Sequence, residues 1–233
     1  TTRFNAYVGF KTPGFDINDL GFLQRADEIT QSNWFQIRSD RPGRFFRSRN
    51  VNFNQWAGWN FGGDLRYKGL NINSHYTLVS NWRFGGGFNV NGSGFSDRLT
   101  RGGPGGYTNT AFSAWSYVNT DDRKLASFNL SVSGFLDQYD SEGWDVSPSL
   151  VLRPNRALAI TAGVGFGRNI SQSQWVANII DEGRPRYVFG RIDQTTMSFT
   201  ARVNYTITPA LSSPMPEGSD FTTCTPRRIR MSR

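Results

Sequence analysis

Along most of the chain apolar and polar side chains alternate with a period of two, the spacing that sends successive side chains to opposite faces of a β-strand. Phe128, Leu130, Val132, Gly134 and Leu136 share one parity, and Ser127, Asn129, Ser131 and Ser133 take the other. Leu158, Ile160, Ala162, Val164 and Phe166 alternate in the same way with small residues. The pattern is clearest where Phe199, Ala201, Val203, Tyr205 and Ile207 interleave with Ser198, Thr200, Arg202, Asn204 and Thr206. Weaker versions cover 4–10, 29–37, 45–53, 70–78, 84–90, 112–118 and 146–152, so the pattern predicts ten strands. No window of useful length carries the i, i+3, i+4 spacing of a helix. The chain is expected to be all-β.

Successive turns of an antiparallel meander fall at alternate ends of the sheet, so the connections can be sorted. At one end lie 39–43, 79–81, 120–123 and 153–156, all short, three of them with Asp, Pro-Gly or Pro-Asn turn chemistry. The other end receives 11–28, 61–64, 92–106, 139–143 and 169–186, of which three are long. Short turns on one rim and long loops on the other describe an antiparallel up-and-down transmembrane β-barrel, with periplasmic turns and extracellular loops. A soluble sandwich has no reason to segregate them. The apolar parity is then expected to face lipid, and the Ser, Thr, Asn and Gln parity to face a lumen. Trp82, Trp144 and Trp175 near strand ends, with Trp56, Trp59, Tyr187 and Phe189 beside loops, fit aromatic girdles at the headgroup level.

Composition agrees. Only 19% of the residues are charged, below the roughly 25% of soluble domains, while 25 Gly and 19 Asn supply much of the polarity. The sequence has no apolar run near the roughly 18 to 20 residues of a membrane-spanning helix. A closed sheet needs none, because its backbone groups are satisfied between strands. One Cys rules out a disulfide scaffold and any Cys-built metal centre. The net charge of +8 suits nucleic acid, anionic headgroups or acidic glycans, and does not choose among them.

Candidate chemistry is sparse. His75, the single histidine, falls on the polar parity with Asn71, Asn73 and Thr77, and one imidazole is too few for most catalytic metal sites. Asp121, Asp122, Asp137, Asp140 and Glu142 sit at turns on opposite rims, where Asp bonds its own backbone, rather than as a facing glycosidase pair. The run Arg101-Gly102-Gly103-Pro104-Gly105-Gly106 lacks the helix and Lys-Ser of a phosphate loop and reads as a loop folding into or over the barrel mouth. Arg38, Arg41, Arg44, Arg47 and Arg49 cluster around one short turn. The last two share parity with Phe45, Val51 and Phe53, which suits lipid only at the interface. No residue is nominated as catalytic, cofactor-binding or metal-ligating, and no cofactor is expected.

Several short pieces in order resemble the C-terminal barrel called domain of unknown function 5916. They are Arg101-Gly102-Gly103-Pro104, Asp122-Arg123-Lys124, Leu152-Arg153-Pro154, Arg186-Tyr187-Val188-Phe189-Gly190, Gln194-Thr195-Thr196 and Arg202-Val203-Asn204-Tyr205-Thr206-Ile207-Thr208-Pro209. The resemblance spans about 4–211. It implies a bacterial outer-membrane barrel behind a carbohydrate-binding module like family 9, with the present chain as the back part of a longer protein and its ten strands as an incomplete barrel. After Leu211 the chain departs from that pattern: 212–233 hold the one Cys, two of three Met, three of ten Pro and four Arg, with no alternation. The expected organisation is a barrel region over 1–211 and a disordered or aberrant tail, such as a frameshift would make, over 212–233.

The expected function is an outer-membrane anchor or channel in a carbohydrate-associated surface or uptake protein. Its expected partners are outer-membrane lipid or lipopolysaccharide, and glycans through an N-terminal module; nucleic acid is not expected. Two alternatives stand beside it: a membrane-associated hydrolase with its active site outside this segment, and a soluble glycan-binding β-domain.

Overall fold

A computed structural model describes residues 1–17, 21, 23, 25–208, 211–214 and 221–231, with side chains through residue 206. The strands are β1 (Thr2–Lys11), β2 (Glu28–Ser39), β3 (Phe46–Trp59), β4 (Leu65–Leu78), β5 (Arg83–Gly92), β6 (Phe95–Ser96), β7 (Gly106–Tyr107), β8 (Ala111–Asn119), β9 (Ala126–Asp137), β10 (Glu142–Leu152), β11 (Leu158–Asp181), β12 (Arg184–Thr208), β13 (Leu211–Pro214) and β14 (Phe221–Met231). Ten of them, β1 to β5 and β8 to β12, form one antiparallel meander in chain order, with no helix among the described residues. All ten expected strands are therefore present, each at or beyond its expected length. β6 and β7 make a separate small hairpin inside the β5–β8 connection.

The register explains the two faces. Phe4, Phe35, Phe53, Ile72 and Phe88 are mutual partners across β1 to β5, so five apolar side chains form one row. Phe35 and Phe53 approach to 6.2 Å between ring centroids, and Tyr76 stacks on Phe84 at 5.0 Å two rows away on the same face. Such cross-strand pairs normally accompany burial. Here they do not. Leu70 is 58% exposed, Ile72 45% and Phe88 44%, whereas Gln36 and Asn52 on the opposite face are each 8% exposed. Among the described residues Ala57 and Ile170 are the buried apolar side chains, and no second layer covers the apolar face.

One expectation changes. The segment 169–186, expected to be a loop, continues β11 and β12 as one long hairpin closed by Glu182 and Gly183, both at positive φ (48° and 73°). Two consecutive left-handed residues make the type I′ turn that matches strand twist, and Gly adopts it without strain. The sheet is not closed: among the described residues β1 pairs only with β2, which leaves its outer edge open. After Leu211 the described backbone pairs with β12, β13 opposite 204–208 and β14 opposite 190–199. Pro226 falls beside a register shift there, a place where an edge strand tolerates a missing N–H.

Candidate functional site

The polar face of β2 to β5 and β8 carries a belt of side-chain amides. Register places Gln36 opposite Asn52 and Asn52 opposite Asn73, while Asn54, Asn71, Asn89 and Ser113 form the adjoining row. Trp34 Nε1 and Gln36 Nε2 donate to Asn52 Oδ1 at 3.2 and 2.9 Å. Asn52 Nδ2 donates to Asn73 Oδ1 at 2.7 Å and to Asn50 Oδ1 at 3.0 Å. Asn54 donates to Asn71, Asn71 to Asn89 (both 2.7 Å), Asn89 to Ser113 Oγ (3.0 Å), and Asn73 to Asn71. An amide both donates and accepts, so the belt orders itself without a charge. It offers hydroxyl-rich or hydrated uncharged solutes a surface of matched donors and acceptors.

Beside the belt, glycine and aromatic side chains interlock. His75 on β4 and Tyr117 on β8 close over Gly85 of β5, with His75 Nδ1 2.8 Å from Tyr117 Oη. Trp115 lies 5.7 Å from the His75 ring and 6.1 Å from Tyr117, above Gly87. A Cβ at Gly85 would sit 2.6 Å from Ser74 O and 2.8 Å from His75 Nδ1. The backbone contact cannot rotate away. Gly85→Ala is therefore expected to cost about 1–3 kcal/mol, read as the shift in urea midpoint of the folded chain. An unchanged midpoint would show that the cluster has slack.

The β5–β8 connection crosses the long-loop rim. Its Asp97 accepts from Arg25 Nη2 at 2.8 Å and lies 2.8 Å from Arg66 Nη1, whose side chain is 6% exposed. Burial pushes the Asp97 carboxyl up, but the close Arg66 guanidinium and the Arg25 and Arg98 charges outweigh it and hold the group below its ordinary value. On the other side the Arg101 guanidinium lies over the Trp175 ring at 4.2 Å, and Asn178 Nδ2 donates to Thr100 O (3.0 Å) and Arg101 O (3.1 Å). The Tyr187 ring packs where Gly103 has no Cβ. Residues 93–110 are thus tied both to the β1–β2 side and to the β11–β12 hairpin.

The other singled-out residues have ordinary structural partners. Asp137 Oδ1 accepts from Tyr139 N and Ser141 N (2.8 and 2.9 Å) and its Oδ2 from Asn109 Nδ2 (2.8 Å), closing the β9–β10 turn. Asp121 takes a two-pronged contact from Arg123 (2.9 and 2.8 Å) together with its backbone N–H, which holds the carboxyl far below the usual range. Arg49 does share the Val51 and Phe53 face, but it pairs with Ser39, the last residue of β2, at the rim. A bulge between Phe46 and Ser48 takes Arg47 out of the alternation. Trp82 and Trp144 are exposed near the rims, whereas Trp56 covers Gly69 on the polar face, and Trp175 and Tyr187 hold the loop. Among the described residues no three His, Cys, Asp or Glu side chains are grouped to hold a metal ion.

The amide belt and the Arg66–Asp97 contact are what sequence reading missed. The belt's signal was the Asn run at one parity; the contact joins a strand start to a loop and had none. A family model described as Domain of unknown function (DUF5916) matches residues 1–215. No curated protein and no solved structure matches the chain.

Proposed function

We propose, for a chain that belongs to the family described as Domain of unknown function (DUF5916), that this sheet is part of the wall of a bacterial outer-membrane β-barrel. The apolar face lies against lipid and the amide belt faces a hydrated lumen, as channel or as anchor for a larger protein. The observation that carries this reading is the inverted exposure: Leu70, Ile72 and Phe88 lie open while Gln36 and Asn52 are covered. In water such a contiguous apolar face exceeds the few hundred Å2 that soluble monomers tolerate. In hydrocarbon it is the stable arrangement, and charge-poor polar groups on the other side suit a wet interior. The rims differ as inner turns and outer loops differ, and in this reading the loop over residues 93–110 narrows the mouth. The open β1 edge would be completed by further strands, since unpaired backbone groups are costly in lipid.

Expression in a Gram-negative host, followed by membrane fractionation, tests this. The chain is expected in the outer-membrane fraction, extractable by detergent and with gel mobility that changes on heating. Recovery as a dispersed monomer without detergent overturns the reading.

A further inference from the structure

The outward face is not uniform. Along β9 to β12 the pairs Phe128–Leu150, Leu150–Ala162 and Ala162–Ala201 set small side chains between larger ones. The result is an apolar trough of about 610 Å3 lined by Phe128, Leu150, Ala162, Val164 and Phe199. Toward the short-turn rim it adjoins a second hollow of about 650 Å3, and Phe128 and Leu150 line both. The second hollow keeps an apolar floor of Ala126, Phe128 and Leu150 and adds polar and charged side chains at its mouth, Asn81, Thr120, Asp121, Arg123 and Lys124, beside Trp82. One groove thus runs from hydrocarbon-like walls at mid-strand to a rim of hydroxyl, amide and cationic groups with one carboxylate, Asp121.

Its charge is unbalanced. Asp121 is neutralised by Arg123 and Asp122 by Arg83, each at 2.8–2.9 Å. Among the described residues no carboxylate lies within ion-pair distance of Lys124, nor of Arg41, Arg44, Arg47 or Arg156 on the same rim. A ligand matching both ends has an apolar chain and an anionic head. We propose that the groove binds one anionic glycerophospholipid, its acyl chain in the trough and its phosphate beside Lys124, Asn81 and Thr120. This rests on the membrane reading above. Trp82, 45% exposed at the rim, lies at the depth where an indole is comfortable among headgroups.

The test uses the whole chain in phosphatidylcholine vesicles that contain a minor fraction of acyl-brominated phosphatidylglycerol or acyl-brominated phosphatidylcholine. Bromine quenches nearby indoles, and comparison with Trp82→Phe isolates the part due to Trp82. That part is expected to favour the phosphatidylglycerol about fivefold, the effect of one cationic side chain at a membrane surface. Lys124→Gln, which breaks no ion pair, is expected to bring the preference close to one, while Arg44→Gln at another turn leaves it unchanged. Equal quenching by the two lipids overturns the lipid site and leaves the membrane reading standing. So does a dimer in micelles whose contact covers the trough and excludes the lipid. Absence of quenching by either lipid overturns the membrane reading itself.

Discussion

Ile72→Arg is expected to destabilise the chain folded in phospholipid vesicles by about 2–4 kcal/mol, the cost of a cation at the bilayer midplane. Ile72 sits in the middle of β4, between Phe53 on β3 and Phe88 on β5, and its side chain is open to the surroundings. No neighbouring carboxylate could neutralise the new charge, because the whole row is apolar. The matched change Ser131→Arg, on the polar face of β9, is expected to stay within about 0.5 kcal/mol. Urea midpoints in vesicles measure both. The contrast discriminates because the solvent decides its sign. In water an exposed Ile→Arg change is close to neutral, so equal midpoints for the two variants would mean that Ile72 faces water and that the proposed orientation is wrong.

The strands were legible because each separates two environments. Alternation reports that difference, and the eight residues from Ser127 to Gly134 already show it. Where both sides of a strand meet similar surroundings the signal vanishes. Ser171-Gln172-Ser173-Gln174 has no apolar parity, and the stretch reads as loop although β11 runs through it with a register shift. The hairpin there is held by its backbone ladder and the Glu182-Gly183 turn, which period-two counting does not detect. The tail shows the same limit: β14 follows β12 without any alternation of its own. Closure was illegible for a different reason. A barrel depends on strand number and shear acting together, and alternation within one strand carries neither.

The polar face was legible as a face but not as a network. Parity puts Asn71, Asn73 and His75 together, and the structure agrees. Which amide meets which across the sheet depends on register, which turns and bulges set. A one-residue slip of β4 against β3 would send Asn73 to the apolar side and break the Asn52–Asn73 bond. Arg49 repeats the lesson: its parity was awkward only while its depth was unknown, and pairing with Ser39 supplies the depth. Contacts between loop and strand leave no periodic trace at all.

Asp97→Asn is expected to release the loop over residues 93–110 from β4. The substitution removes the anion shared by Arg25 and Arg66 while keeping its shape. Arg66, with a side chain 6% exposed, would retain only Asp27 at 4.0 Å. Removing one partner of a buried charge costs several kcal/mol, but Asp97 is itself half exposed, so the expected loss is on the order of 2 kcal/mol. The Arg101–Trp175 and Asn178 contacts remain, so the loop should swing on the β11–β12 side and not unfold the sheet. Tryptic cleavage after Arg98 is expected to accelerate at least tenfold, since cleavage follows the open population, while the bond after Arg101, still held by Trp175 and Asn178, is not. An unchanged rate would show that the contact does not restrain the loop. The pH dependence carries a sign. Because the Asp97 value is lowered, its contribution is complete above the unfolded-chain value near 3.9 and is lost as pH falls through the lower folded value. The wild-type loop should therefore become cleavable only on acidification, assayed with an acid-active protease, whereas in Asp97→Asn this step is absent because the loop is already free. If the loop narrows a lumen, bilayer conductance of the variant at neutral pH should match that of the acidified wild type.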